Sequence, residues 1–579
     1  MATKLDKVQV VTVGVGWTGG IIAAELAKQG VKVVGLERGQ DRTTEDFQMV
    51  HDEYRYAIRY ELMQNTAKET ITFRNNRDER ALPVRQWGSF LPGEGVGGAG
   101  VHWNGQTWRF LPYDFEIKSM TEEKYGKDKI GSKYTIQDWG ITYDELEPYF
   151  YKFEETTGIS GEENPLGGPR SKPYPTPPMK STPILDRFKN AAKNLGLHPV
   201  QLPSANLSET YVNPDGQQLN ACEYCGFCER FGCEYDAKAT PNNTVIPTAM
   251  KTGNFELRTG ANVVEILHED GRATGVRYID IHSGEEFIQP ADVVVLTSYV
   301  LNNTRLLLIS ELGKPYDSET GTGVIGKNYC YQIVPRVTGF FENEKFNTFM
   351  GAGALGAALD DYNGDNFDHS DLDFIHGGLL HLTQTGRRPI ANNPVPSDTP
   401  GWGAEFKDKS LHYFNRSLTI STEGASMPHQ DNYMDLDPTY TDAYGNPLLR
   451  LTYDFTDQDR KLYAYLADRA AEIMEEMGAD IVEKQPMSEH YDIVPYQTTH
   501  NTGGVIMGDD PETSAVNNYL QMWDHDNVFV VGASAFAHNG GYNPTGTVGA
   551  LAYRAAEGIK KFMESDEQLV QAPKKSELV

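Results

Sequence analysis

The sequence predicts an α/β fold, α+β overall, in which a Rossmann-like nucleotide-binding domain is interleaved with a second sheet-plus-helix domain. Three observations predict it. A complete strand–turn–helix–strand unit occupies residues 8–37. Strand-like segments return after residue 255 and again at 528. The chain has 579 residues, more than one compact core serves.

The N-terminal unit carries the argument. An apolar, β-branched run at 8–13 reads as a buried strand and passes directly into Gly14-x-Gly16-x-x-Gly19. Ile21, Ile22, Leu26 and Ala27 follow at helical spacing, and a second apolar strand at 31–36 ends on Glu37. Each part has a physical task. Gly14 permits the tight turn, Gly16 lets a pyrophosphate approach the backbone, and Gly19 lets helix and strand pack closely. The helix N-terminus offers free N–H groups and a positive dipole end to phosphates. Glu37, near the ~20-residue spacing of such units, is placed to accept from ribose hydroxyls. An acid rather than an Arg-rich patch argues against a 2′-phosphate. FAD and NAD both fit this element.

Further along, residues 43–70 read as polar and helix-prone. The glycine-dense run 93–105, with Gly97, Gly98, His102 and Asn104, implies a backbone pressed against a ligand. Residues 143–158 read as a helix, and 163–182 as a Pro/Gly connector. Strands are expected at 255–267, 273–281 and 293–297, then a helix at 302–312. Residues 345–415, rich in Gly, Asp, Asn and Pro, read as long surface loops over a site. Residues 457–478 form an amphipathic helix with Leu462, Leu466, Ala470, Ile473 and Met477 on one face. A strand at 528–531, a turn at Gly532 and Ala533, and a helix at 547–563 close the pattern; the charged tail after 565 reads as frayed.

Composition excludes several classes. The net charge of −29 argues against nucleic acid and anionic membrane surfaces. No run approaches about 18 uninterrupted apolar residues, so no transmembrane helix is expected. The first strand begins within about seven residues, too soon for a signal peptide, and cytoplasmic residence is the expectation, with co-export alongside a partner subunit as the alternative.

Four of five cysteines fall in Cys222-x2-Cys225-x2-Cys228-x4-Cys233. Four thiolates this close suit one metal centre. The run is one residue longer at its end than a ferredoxin run and has Glu234 where proline would stand. An iron–sulfur cluster, a four-thiolate zinc ion, disulfides and plain buried thiols are the readings. Cys330 stands alone and reads as structural.

The N-terminal unit, residues 95–115 and residues 528–559 together resemble the glucose-methanol-choline (GMC) oxidoreductases. The cysteine run and the phrase at 500–510 resemble the flavin subunits of bacterial sugar dehydrogenases within that family. The resemblance implies FAD and a discontinuous FAD-binding domain (1–115, 205–325 and 520–579) around a substrate-binding domain (116–204 and 326–519). It implies oxidation of a sugar, sugar-acid or polyol hydroxyl, with His500 as base and Asn543 as its partner. His538 and Asn539 are nearby rivals. It also implies Pro544 and Thr545 at a helix start facing the flavin, and His102 as a flavin-loop residue or a covalent flavin link. Electrons would leave through the cysteine cluster to a small subunit, a cytochrome or another acceptor. The chain departs from the family at Thr297-Ser298-Tyr299, where relatives carry a small Ala-x-Gly-like turn. An oxygen-using oxidase, a non-catalytic flavin-binding subunit and an NAD-binding regulatory module are the rival readings.

Overall fold

A computed structural model describes residues 2–47, 51–86, 88 and 90–572. Its first sheet has eight strands. Val8–Val13 lies between Val33–Leu36 and Glu286–Leu296, parallel to both. Phe255–Arg258 extends the parallel set beyond Val33–Leu36. Ala261–Glu269, Arg272–Asp280 and Glu286–Leu296 form an antiparallel meander. Val528–Val530 and Thr3–Lys4 pair in parallel with Glu286–Leu296. The central strands are apolar on both faces because helices cover both. Trp17–Ala27 follows the first strand, as its periodicity predicts. A Cβ on Gly19 would come within 2.1 Å of Gly14 O, so this crossing requires glycine.

The second sheet has six antiparallel strands in the order Ile481–Lys484, Arg336–Phe340, Ser417–Gly424, Gly378–Thr385, Gly351–Leu359 and Val200–Gln201. One face is sealed by Asp457–Glu476 and Pro183–Asn194. Leu355, Leu380, Leu382 and Ile420 meet Leu185, Phe188, Leu462, Leu466 and Met474 there in one buried cluster. The Thr456–Asp459 capping box starts the long helix. The opposite face turns its alternate residues toward the first sheet.

Two sequence expectations are corrected. Residues 345–415 hold the two strands Gly351–Leu359 and Gly378–Thr385 and the helix Ala404–Tyr413, not loops alone. The first of these, GAGALGAAL, lacks the β-branched residues that mark strands. Its glycines serve close approach: a Cβ on Gly353 would come within 2.0 Å of Asn104 O. Residues 43–70 form only the short turns Thr44–Phe47 and Tyr54–Ile58, with 48–50 outside the described residues. Their polar side chains bond to neighbouring elements: Arg38 Nη2 donates to Gln64 Oε1 at 2.6 Å, and Arg305 Nη1 to Glu69 at 3.0 Å. Of the tail, 573–579 lie outside the described residues. Among the described residues no helix is long and apolar enough to cross a membrane.

Because Leu466 is fully buried between sheet and helix, Leu466→Ala is expected to lower stability by about 2–5 kcal/mol. An unchanged urea midpoint would contradict that packing.

Candidate active site

The two sheets enclose a cavity of about 460 Å³, within the ~300–1,000 Å³ common for ligand sites. At one end lies the glycine turn. Gly14 and Gly16 line the cavity, while Gly19 packs behind them. Trp17–Ala27 starts with no side-chain cap and no acid in its first turn, which leaves its N–H groups free. Glu37 lines the same end, its carboxylate accepting from Val15 N at 3.1 Å and Gly39 N at 2.9 Å. Burial raises its pKa against the pull of those two N–H donors. The departing loop stays in contact: Thr297 Oγ1 donates to Val13 O and Gly14 O at 2.9 and 2.7 Å. Tyr299, in the left-handed region at φ +80°, accepts from Asn501 Nδ2 at 2.7 Å.

The middle is lined by Gly98, His102 and Asn104 on one side and Gly532, Ala533, Pro544 and Thr545 on the other. Gly97 sits just behind, at φ +92°. Thr545–Ser565 begins without a side-chain cap, so a second helix N-terminus faces the cavity. His102 is buried, and its Nε2 has no hydrogen-bond partner. Burial and the nearby Lys238 push its pKa down to about 3, so the ring is neutral. Asn543 Oδ1 and Thr547 Oγ1 are likewise buried and unpartnered. Two uncapped helix starts, a glycine turn and orphaned polar atoms along one cavity suit a bound dinucleotide.

His500 and Asn543 meet at the far end. Asn543 Nδ2 lies 3.3 Å from His500 Nε2. On the other side of the ring, Nδ1 faces Gln332 Oε1 in a short contact. The Gln332 amide is pinned, since its Nε2 donates to Gly540 O at 2.8 Å and Tyr542 O at 2.7 Å. Its oxygen must therefore face His500, so Nδ1 carries the ring hydrogen and Nε2 keeps a lone pair. Glu423 Oε2, 3.5 Å from the same Nδ1, favours the same tautomer. Burial raises the Glu423 pKa, but His381 and His500 outweigh it and hold the carboxyl down to about 2. Gln332, His381 and Glu423 are missed by the sequence reading. The only signal for the last two lay in their lying on polar positions of the strand-like runs LLHLTQT and SLTISTEG.

His538 and Asn539 do not line the cavity. Trp139 Nε1 donates to His538 Nδ1 at 3.0 Å, and His538 Nε2 donates to Asp114 Oδ1 at 3.1 Å. His376 Nε2 meets the same oxygen at 2.8 Å while its Nδ1 accepts from Gly377 N. Asp114, His376 and His538 have metal-ligand spacing. Because each Nδ1 accepts an N–H, each Nε2 must carry hydrogen toward Asp114. The group is a hydrogen-bonded clamp on the 538–543 loop. Burial raises the Asp114 carboxyl, and the two imidazoles more than offset this and hold it well below the usual range.

The cysteines lie off the cavity, on a segment bonded to its wall. Arg230 N donates to His102 O at 2.7 Å. Lys238 Nζ donates to Trp103 O, Cys228 O and Phe231 O at 2.8–3.1 Å. All five cysteines are free thiols, and among the described residues no three of their sulfurs lie within 4.8 Å of one another. A tetrahedral zinc ion needs sulfurs about 3.8 Å apart, so neither the closed zinc site nor the disulfides are formed here. Burial pushes the Cys222 and Cys228 thiols up to about 12 and 11. Buried Cys330 lies elsewhere, its thiol also raised by burial.

Fold and site together define a dinucleotide-dependent oxidoreductase. The chain belongs to the GMC oxidoreductase family, whose models match residues 139–334 and 428–552 under the description GMC oxidoreductase. It is thus an FAD-dependent oxidoreductase acting on CH–OH groups. It is 41% identical to the gluconate 2-dehydrogenase flavoprotein of Pantoea cypripedii, over 99% of this chain and 97% of that protein. It is 30% identical to the 2-methyl-1,2-propanediol dehydrogenase of Mycolicibacterium austroafricanum, over 97% of this chain and 96% of that protein. The structure of an Aspergillus oryzae formate oxidase shares the fold, with TM-score 0.62 and 15% identity over 97% of this chain and all of that one.

A carboxyl held down to about 2 in the folded state stabilises the fold above its ordinary value of 4.5, and that contribution is lost as pH falls toward 2. Glu423→Gln is therefore expected to flatten the acid limb of stability between about pH 4.5 and 2, read as the urea midpoint against pH. An acid limb unchanged in the variant would refute this.

Proposed function

We propose that this protein is a dehydrogenase that oxidises a hydroxyl of a sugar, sugar acid or polyol to a carbonyl, with His500 as the base. The observation that carries the reading is the His500 tautomer: Nδ1–H toward Gln332, and an Nε2 lone pair beside Asn543. FAD, when bound, supplies the acceptor for the hydride. Gly14, Gly16 and Glu37 would hold its adenosine and pyrophosphate end, with Gly19 packed behind them. Gly98, His102, Asn104, Gly532, Ala533, Pro544 and Thr545 would hold its middle and ring, with Gly97 just behind. The first sheet forms most of this cofactor domain, and the second carries the substrate side. The Thr545–Ser565 N-terminus stabilises negative charge that develops opposite it.

His500 Nε2 takes the hydroxyl proton as the carbon–hydrogen bond gives up its electron pair. Glu423, 3.5 Å from Nδ1, stabilises the imidazolium that results. Asn543 Nδ2 donates to the substrate oxygen and fixes the carbinol over the hydride acceptor, which is catalysis by positioning. The 41% identical gluconate 2-dehydrogenase flavoprotein supports a polyhydroxylated substrate.

Cys222, Cys225, Cys228 and Cys233 would hold an iron–sulfur cluster, and such a centre would supply an electron exit toward a small subunit, cytochrome or other acceptor. Support comes from N–H groups aimed at sulfur, Tyr224 N at 3.4 Å from Cys222 Sγ and Asn206 Nδ2 at 3.7 Å from Cys228 Sγ. The buried Lys238 ammonium offsets the anionic charge of such a centre. The cysteine segment also bonds directly to the His102–Asn104 wall. His102 Nε2, buried and without a hydrogen-bond partner, would be the atom through which a covalently attached flavin is held.

Three measurements test these roles. His500→Ala should slow anaerobic flavin bleaching by D-gluconate, D-glucose or D-sorbitol by about 10²–10⁴-fold; undiminished bleaching would remove His500 as the base. Protein purified without oxygen should contain about three or four irons with matching sulfide, and iron-free protein would end the cluster reading. Flavin should remain with acid-precipitated protein; free flavin in the supernatant would exclude the His102 bond.

A further inference from the structure

Glu423 and His381 face the same cavity end as His500, and neither transfers the proton. They stand on neighbouring strands of the second sheet, Ser417–Gly424 and Gly378–Thr385, on the face turned away from the sealing helices. His381 pairs directly with Ser421, two residues before Glu423 and on the same face. Both side chains are buried, at 5% and 8% exposure, and both line the cavity.

Their polar atoms lack partners. His381 Nδ1 and Nε2 and Glu423 Oε2 are buried without a hydrogen bond. The His381 Nε2–Glu423 Oε1 separation is 3.6 Å, too long for a direct hydrogen bond. Leaving an imidazole and a carboxylate unsatisfied in a protein interior is strongly unfavourable, and the clamp at Asp114 shows the same residue types fully paired in this chain. The difference marks a place completed by a ligand. A carboxylate offers only acceptors, and a neutral imidazole one donor and one acceptor. A hydroxyl, which both donates and accepts, satisfies the two together. A ligand carboxylate would meet like charge. Glu423 meets His500 at Nδ1, across the ring from the Nε2 that takes the proton, and all three residues line one cavity, so this hydroxyl belongs to the same substrate molecule.

We propose that Glu423 and His381 form a subsite for a second hydroxyl of the substrate, so that the site selects polyhydroxylated alcohols over simple ones. The inference rests on the proposed alcohol oxidation with His500 as base. It adds that the Glu423 carboxylate accepts from the second hydroxyl and His381 donates to it.

The test uses the full flavin-loaded chain and whichever of D-gluconate, D-glucose and D-sorbitol bleaches the flavin fastest, against its deoxy analogues, each lacking one hydroxyl other than the one oxidised. The wild type is expected to favour the parent by at least about tenfold in kcat/KM over one of these, the deoxy analogue used below, as a site with unpaired polar groups rejects a ligand lacking the matching hydroxyl. In Glu423→Gln and His381→Phe the parent should lose at least tenfold more than the deoxy analogue, mainly in KM. His381→Gln, which keeps a donor, should restore part of the preference, and a flavin spectrum like that of the wild type checks that each variant is folded. Equal losses on both compounds would overturn the subsite and leave Glu423 as a positioning residue for His500. A wild type without preference would also overturn it. Flavin bleached by none of the three would overturn the activity reading itself, and this inference with it.

Discussion

The active site depends on the orientation of one buried amide. Gln332 donates to the carbonyls of Gly540 and Tyr542, and this leaves its oxygen no direction except toward His500 Nδ1. The same side chain therefore fixes the loop that carries Asn543 and the tautomer of the residue Asn543 faces. If the amide were reversed, its NH₂ would meet the ring nitrogen, and two carbonyls would be left without donors in a dry interior. The Asp114 clamp holds the other side of the 538–543 loop, and Tyr542 OH donates to Asp360 Oδ2 at 2.6 Å. The loop is thus tied at three points before any ligand arrives, as preorganised catalysis requires.

The cavity contrasts with two buried charged clusters outside it. Arg109 forks onto Glu154 at 2.8 Å, and Asp114 takes two imidazole N–H groups. Along the cavity, His102, His381, Glu423 and Asn543 keep unpartnered atoms, and two helices begin without caps. Such groups persist only because the surrounding packing holds them in place, through the two helices on the second sheet and the doubly covered strands of the first. The site stores binding capacity that the core stabilises.

The cysteine segment has a different balance. Burial favours the protonated thiols of Cys222 and Cys228, while Lys238, fully buried, spends its three N–H groups on backbone carbonyls of the same segment and the cavity wall. The loop is shaped around a cation rather than around paired sulfurs. That explains how four closely spaced cysteines remain apart without a disulfide.

The N-terminal unit was legible because its parts are local. Strand, glycine turn, helix and acid follow one another within 8–37, and Gly19 answers a contact inside the unit while Gly14 answers one at the end of its neighbouring strand. The helix at Asp457–Glu476 was legible for the same reason, through its apolar period and Thr456 cap. The strand Gly351–Leu359 was hidden because its glycines answer Gln384, Asn104 and Leu202, all outside the strand and two of them far away in sequence. By itself the sequence determined the cofactor-binding unit, the membership of His500 and Asn543 in one motif order, and the cysteine spacing. Only the tertiary structure decided which nitrogen of His500 is free, that His538 turns into a clamp, and that Glu423 and His381 stand beside His500. Hydrogen-bond direction and register between distant strands set those three, and neither is encoded in local spacing.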